Sequence, residues 1–146
     1  MRIEKKITEA CNYGDGRNTN DIQYIVLLSL DDKPTPHYHI NEGKAFQVIP
    51  DNNMSAAVNG PRMSKYGIYH GICTKYNSIS IGTTNSHKDK ETCLHLIMTL
   101  MQRYDVAPDN VLRIKDVTGE VGPNVWDDDE KWESDVIDRL RNILKN

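Results

Sequence analysis

The chain has no stretch near the roughly 18 consecutive apolar residues of a membrane-spanning helix, and its start, Met1 to Lys6, has no apolar signal-peptide core. No membrane association is expected, and the cytosol is the expected compartment. It also lacks an excess of positive charge. A net charge of −3 and a pI near 5.9 leave no dominant basic surface, so no nucleic-acid partner is expected. Only three cysteines are present, Cys11, Cys73 and Cys93. Their odd number and wide spacing suit reduced thiols better than a secreted disulfide framework.

Several catalytic signatures are missing as well. Gly14 and Gly16 are not followed by the Lys and Ser or Thr of a phosphate-binding loop, and no Gly-x-Ser-x-Gly elbow occurs. The acidic run Asp127 to Glu130 has no EF-hand spacing and reads as a solvated helix start. There is no repeat, low-complexity tract or interdomain linker.

What is present describes a soluble globular chain: 146 residues, 38% hydrophobic and 27% charged, enough for one core and one domain spanning 1–146. Ile22 to Leu30 is almost continuously apolar, which suits a central strand covered on both faces. Lys44 to Ile49, Ser78 to Thr84 and Val111 to Ile114 are further short strands, and 51–76, rich in Asn, Gly, Pro and Ser, reads as a long loop. Ser86 with Asp89 three residues on marks a capped helix start. Leu94, Ile97, Met98, Met101 and Tyr104 then recur at helical spacing before Pro108. A second helix starts near Asp127 to Glu130 and carries Trp132, Val136, Ile137, Leu140 and Leu144 as its apolar face, with Arg139, Arg141 and Lys145 toward its C-terminal pole.

The segment Arg113-Ile114-Lys115-Asp116-Val117-Thr118-Gly119-Glu120-Val121-Gly122-Pro123-Asn124-Val125-Trp126 carries the most specific signal. It resembles the Arg-His-x-Asp-Val-Thr-Gly-Lys-x-Cys-Pro-x-Pro-Trp signature of N-acetylmuramoyl-L-alanine amidases from bacteriophages and Gram-positive bacteria. Other blocks follow in the same order. Tyr24-Ile25-Val26-Leu27-Leu28-Ser29-Leu30 resembles the first core strand, usually Tyr-Ile-Val-Ile-His-Tyr-Thr. His37 to Ile40, then Glu42-Gly43 and Phe46 to Asp51, resembles the family hairpin, and Ala57-Val58-Asn59-Gly60 stands for Trp-His-x-Gly. His70-Gly71-Ile72-Cys73-Thr74 with Asn77 to Gly82 resembles His-Gly-x-Cys-Thr followed by Asn-Ser-Ile-Gly-Ile-Glu. The likeness spans residues 12–144.

The resemblance implies an α/β fold: a single amidase-like domain with a central mixed β-sheet flanked by α-helices. It also implies that the family's chemistry has been vacated. Leu28 and Ile114 fall where zinc histidines stand, Gly122 where the third ligand stands, Gly82 where the catalytic glutamate stands, and Glu120 where a lysine stands. A catalytic zinc needs three protein ligands and an open position for water, so the expectation is no metal, no cofactor and no catalysis. A rescue metal site built from His37 and His39, or from His70 and Cys73, would lack a placed third ligand. A cysteine nucleophile at Cys73 or Cys93 has no placed base.

The function expected is therefore that of a noncatalytic binding protein of phage or prophage origin, acting in the bacterial host cytoplasm. Its ligand would be small, either an intracellular signal or a muropeptide, taken in the former cleft. The rim residues that the resemblance implies are His37, His39, Asn59, Asp116, Thr118, Glu120 and Trp126. A protein-interaction regulator is the alternative from another class, since phage amidases of this type also bind a polymerase. An active amidase with a different metal site is the third reading.

Overall fold

The computed structural model describes residues 1–9, 13–30, 35–58, 67–69, 71–118, 126 and 128–145. Six strands form one mixed sheet: β1 Ile3–Lys5, β2 Tyr24–Ser29, β3 Tyr38–Asn41, β4 Lys44–Gln47, β5 Ser78–Thr83 and β6 Val111–Arg113. Their order is β1-β4-β3-β5-β2-β6. Only β3 and β4, joined by the tight turn Glu42-Gly43, run antiparallel; the remaining pairs are parallel. This is the mixed sheet with flanking helices that the sequence implies. The strand β1 was not foreseen.

Side chains alternate across the sheet, so the apolar run of β2 supplies both faces. Ile25 and Leu27 join Ile79, Ile81, Tyr38, Ile40 and Val111 in a large cluster on the first face. Tyr24, Val26 and Leu28 join Leu112, Ile114 and Val117 in a smaller one on the second face. The first face is covered by α1, His87–Tyr104, through Cys93, Leu94, Leu96, Ile97, Leu100 and Met101.

The capped start at Ser86 is present, and the Ser86 side chain accepts from the Asp89 N–H at 3.1 Å. Asp89 does not close a reciprocal capping box. Its carboxylate instead accepts from the Gly43 N–H at 2.7 Å and from the Thr84 hydroxyl, tying the β3–β4 turn to the first turn of α1. Thr92 strengthens that tie by donating to the Gly43 carbonyl at 2.9 Å.

After β6 the chain forms a single turn, α2, Ile114–Val117. The C-terminal helical stretch consists of α3, Asp129–Trp132, a five-residue π segment, Glu133–Ile137, and α4, Asp138–Lys145. Asp128 caps it by accepting from the N–H groups of Glu130 and Lys131. Trp132, Val136, Ile137 and Leu140 enter the first cluster as expected. Leu144, read as part of the same apolar face, is 56% exposed: the wider π turn rotates the last residues away from a simple 3.6-residue repeat. No helix among the described residues is long and apolar enough to cross a membrane.

Candidate functional site

The second face of the sheet holds the positions of interest in a continuous row. Leu28 on β2 is in register with Gly82 on β5, Gly82 with His39 on β3, His39 with Phe46 on β4, and Phe46 with Glu4 on β1. The next row toward the opposite end of the face contains Val26, paired with Ser80, and His37 beyond it. His37 and His39 thus project from the same face, as their spacing suggests, but into different surroundings.

Leu28 is 1% exposed, and so is Ile114 at the start of α2. Both belong to one apolar cluster with Ala57, Val58, Cys73, Leu112 and Val117, with Tyr69 packed against it. Burying two such side chains contributes about 1.5–3 kcal/mol each. Leu28 and Ile114 therefore belong to a second core. Neither offers a lone pair, so the described part of this centre does not fit zinc. Among the described residues, no three His, Cys, Asp or Glu side chains gather to hold a metal ion.

Gly82 is closed over in the same way. A Cβ on Gly82 would lie 3.2 Å from Pro36 Cγ and 3.3 Å from Leu30 Cα, so a longer side chain would have to push this segment aside. On the other flank, the Tyr69 N–H donates to the Asp116 carbonyl at 2.8 Å. Gly67 presses against the same peptide, where an added Cβ would stand 2.0 Å from Asp116 C and O. Only a residue without a side chain permits this approach of segment 67–69 to α2.

His37 was expected at the rim and is found 1% exposed. Its Nδ1 accepts from the Ser80 N–H at 3.1 Å, which leaves the ring proton on Nε2, donated to the Asn53 carbonyl at 2.8 Å. The His37 N–H donates to Ser80 Oγ at 3.0 Å. Burial, with the Arg17 guanidinium beside the ring, pushes its pKa down to about 4. Arg17 is held by carbonyls: Nε donates to Asp51 O at 2.9 Å, and Nη1 to Lys75 O at 3.0 Å and to Ser78 O. His37 is thus a neutral bracket between β5 and the 50–54 turn.

Trp126 also departs from its expected place. It is 1% exposed and belongs to the first cluster, packed edge-to-face on Trp132 with ring centroids 5.8 Å apart, across the sheet from Leu28 and Ile114. The Arg113 guanidinium draws it there. Nη1 donates to the Trp126 carbonyl at 2.9 Å while the guanidinium lies 5.5 Å from the Trp132 ring centroid. Asp116 is engaged by the same arginine through Nη2 at 3.0 Å and Nε at 3.1 Å, and also accepts the Arg113 N–H. Thr118 is buried, its hydroxyl donating to the Ile114 carbonyl at 3.3 Å. Asn59, Glu120, His70 and Gly122 lie outside the described residues.

His39 is the described candidate that lines a cavity. It is half-buried, and burial lowers its pKa. It lines a cavity of about 300 Å³ with Lys6, Leu30, Asn41, Phe46 and Val48. The sequence reading missed Lys6, Asn41 and Phe46, because their convergence depends on the nonlocal pairing of β1 with β4. The two described thiols are buried, and burial raises Cys73 to about 12 and raises Cys93 further, which disfavours the thiolate.

No family sequence model matches the chain, and no curated protein matches it in sequence. Solved structures do match its fold. The PlyG catalytic domain superposes with a TM-score of 0.73 at 21% identity, covering 97% of this chain and 94% of that one. The catalytic domain of XlyA gives 0.71 at 17% identity, covering 92% and 96%. The N-acetylmuramoyl-L-alanine amidase LysC from Clostridium intestinale URNW gives 0.61 at 16% identity, covering 93% and 99%. The chain shares the fold of these catalytic domains.

Proposed function

We propose that this chain is a noncatalytic amidase-like binding protein of phage or prophage origin, acting in the cytoplasm of the bacterial host. Its ligand is a small molecule, an intracellular signal or a muropeptide, taken on the sheet face where related folds carry out hydrolysis. The observation that carries this reading is the packing of Leu28 and Ile114 into one apolar cluster with Ala57 and Val58. A hydrolytic centre needs a polar basin with open coordination, whereas the described residues packed around Leu28 and Ile114 are apolar. The tight seat around Gly82 supports the same reading, since a carboxylate side chain for proton transfer would have to displace Pro36 and Leu30.

Elemental analysis of the purified protein, together with a muropeptide digestion assay, tests the proposal. The expected result is no stoichiometric zinc and no free peptide released. One tightly held zinc per chain, or clear peptide release, overturns it.

A second reading, regulation through protein contact, is favoured by one observation. Ile68, Ile72 and Tyr76 are 84%, 56% and 61% exposed on the chain between Gly67 and Asn77, beside the filled centre. Copurification of a cellular protein that is lost when all three are changed to serine would support that role over small-molecule binding.

A further inference from the structure

Among the described residues, the second face carries a free volume beside the Leu28–Gly82 pair. It lies over β3 and β4, beginning on the strand next to β5, and Leu30 forms the partition: it closes on Gly82 on one side and lines the cavity on the other. The base consists of His39 and Phe46, which are direct partners across the antiparallel pair, and Val48, two residues further along β4. Lys6 continues the line of β1, its N–H donating to the Gln47 carbonyl at 2.8 Å, and its ammonium lies 4.6 Å from the Phe46 ring centroid. Asn41 stands at the end of β3.

The chemistry around this space is specific. Leu30, Phe46 and Val48 supply an apolar wall and floor, Lys6 is the one charged side chain among the described residues that line it, and Asn41 and His39 supply neutral polar groups. No hydrogen bond from the His39 ring to another described residue is formed. Glu4, opposite Phe46 on β1, borders a separate depression with Arg2 and Lys44 and is not part of this lining. A cavity with one cation over an aromatic ring and an apolar floor selects a small organic anion: the anionic group meets Lys6 and Asn41, and a planar or apolar body rests on Phe46 and Leu30.

We propose that this cavity is the ligand subsite of the protein and that it takes a small organic monoanion, a carboxylate joined to a compact apolar or planar group. This rests on the binding-protein reading above and gives it a location, displaced from the filled centre onto β3, β4 and the N-terminal strand. The ligand is held by charge and by apolar contact together. Neither an inorganic anion nor a neutral isostere satisfies both.

The test is a titration of the isotope-labelled full-length chain, followed by NMR, with benzoate, benzamide and inorganic phosphate as probes. Benzoate is expected to shift the His39 ring and the Lys6, Asn41 and Phe46 signals saturably, with benzamide and phosphate at least fivefold weaker. Lys6→Gln, at an exposed position, should weaken benzoate about tenfold, and Phe46→Ala should do the same by removing the floor. Phe46→Ala is read only if the rest of its spectrum matches the parent. Absence of saturable shifts with benzoate overturns the proposal, as does equal binding of benzamide, equal binding of phosphate, or benzoate binding unchanged in Lys6→Gln. The outcome is separable from that of the noncatalytic reading. Peptide release in the digestion assay sinks that reading whatever the titration shows, while a failed titration with no zinc and no hydrolysis sinks only this site.

Discussion

Leu28 and Gly82 face each other across the parallel register of β2 and β5, one filling space and the other leaving none to fill. The leucine is sealed into the second-face cluster, while the glycine lets Leu30 and Pro36 close over the sheet. The pair acts as a plug in this face of the sheet.

Truncating the plug should be costly. Leu28→Ala and Ile114→Ala are each expected to destabilise the protein by about 2–5 kcal/mol, as large-to-small changes in a packed core do. Urea unfolding of each variant measures this. Losses below about 1 kcal/mol would mean that the second cluster is loosely packed. Leu28→His alone should destabilise comparably, because the imidazole would enter hydrocarbon without a partner.

Filling the glycine positions should be costly for the opposite reason. Gly82→Ala places a methyl group 3.2 Å from Pro36, and the strain of overpacking is expected to cost about 1–3 kcal/mol. Gly67→Ala meets backbone instead of a movable side chain. It should push segment 67–69 off α2, visible as faster exchange of the Tyr69 amide proton with solvent. Unchanged protection of that proton would contradict the contact with Asp116.

His37 gives the protein a defined acid sensitivity. Its folded pKa of about 4 lies below the ordinary value of 6.5, so the unfolded chain takes up the proton first as pH falls. The corresponding stability is fully present above pH 6.5 and is lost on the way down to about pH 4, amounting to about 3 kcal/mol. Denaturant unfolding at pH 7 and pH 4.5 should show a steeper loss for the parent than for His37→Gln, although the variant is less stable at pH 7. Parallel pH profiles would remove His37 as the cause.

Arg17→Lys should not be a mild change. The guanidinium reaches carbonyls of Asp51, Lys75 and Ser78 with two different nitrogens, and one ammonium cannot span that set. A loss of about 1–3 kcal/mol is expected by thermal or urea unfolding, from carbonyls left unpaired. A fully stable lysine variant would show that the clamp is dispensable.

The parts of the fold carried by local pattern were legible in the sequence. The apolar run of β2, the Ser86 cap and the Leu94–Ile97–Met101 face each depend on neighbours within a few residues, and each is present. The β3–β4 hairpin followed from family blocks and its Glu42-Gly43 turn. What escaped depends on distant partners. The strand β1 has one apolar residue, Ile3, among charged ones, and becomes a strand only because β4 lies beside it. His37 looks like a surface imidazole until Ser80 and Asn53 close on it, and Trp126 is drawn to the opposite face through Arg113. For the site, the family likeness singled out Leu28 and Gly82, which lie in register on β2 and β5. It gave no sign of the space over the outer strands, which depends on the pairing of β1 with β4.

The placement of β1 also bears on solubility. Without Ile3–Lys5, the outer edge of β4 would present unpaired N–H and carbonyl groups next to the half-buried Phe46, a template for pairing with another copy. The strand that covers it is only three residues long and carries Glu4 and Lys5, followed by Lys6, so it offers a short, charged border in place of a long flat one. Removal of the first six residues is expected to leave the central strands paired and to expose a sticky margin. The consequence would be concentration-dependent self-association, readable by light scattering, at concentrations where the intact chain stays monodisperse.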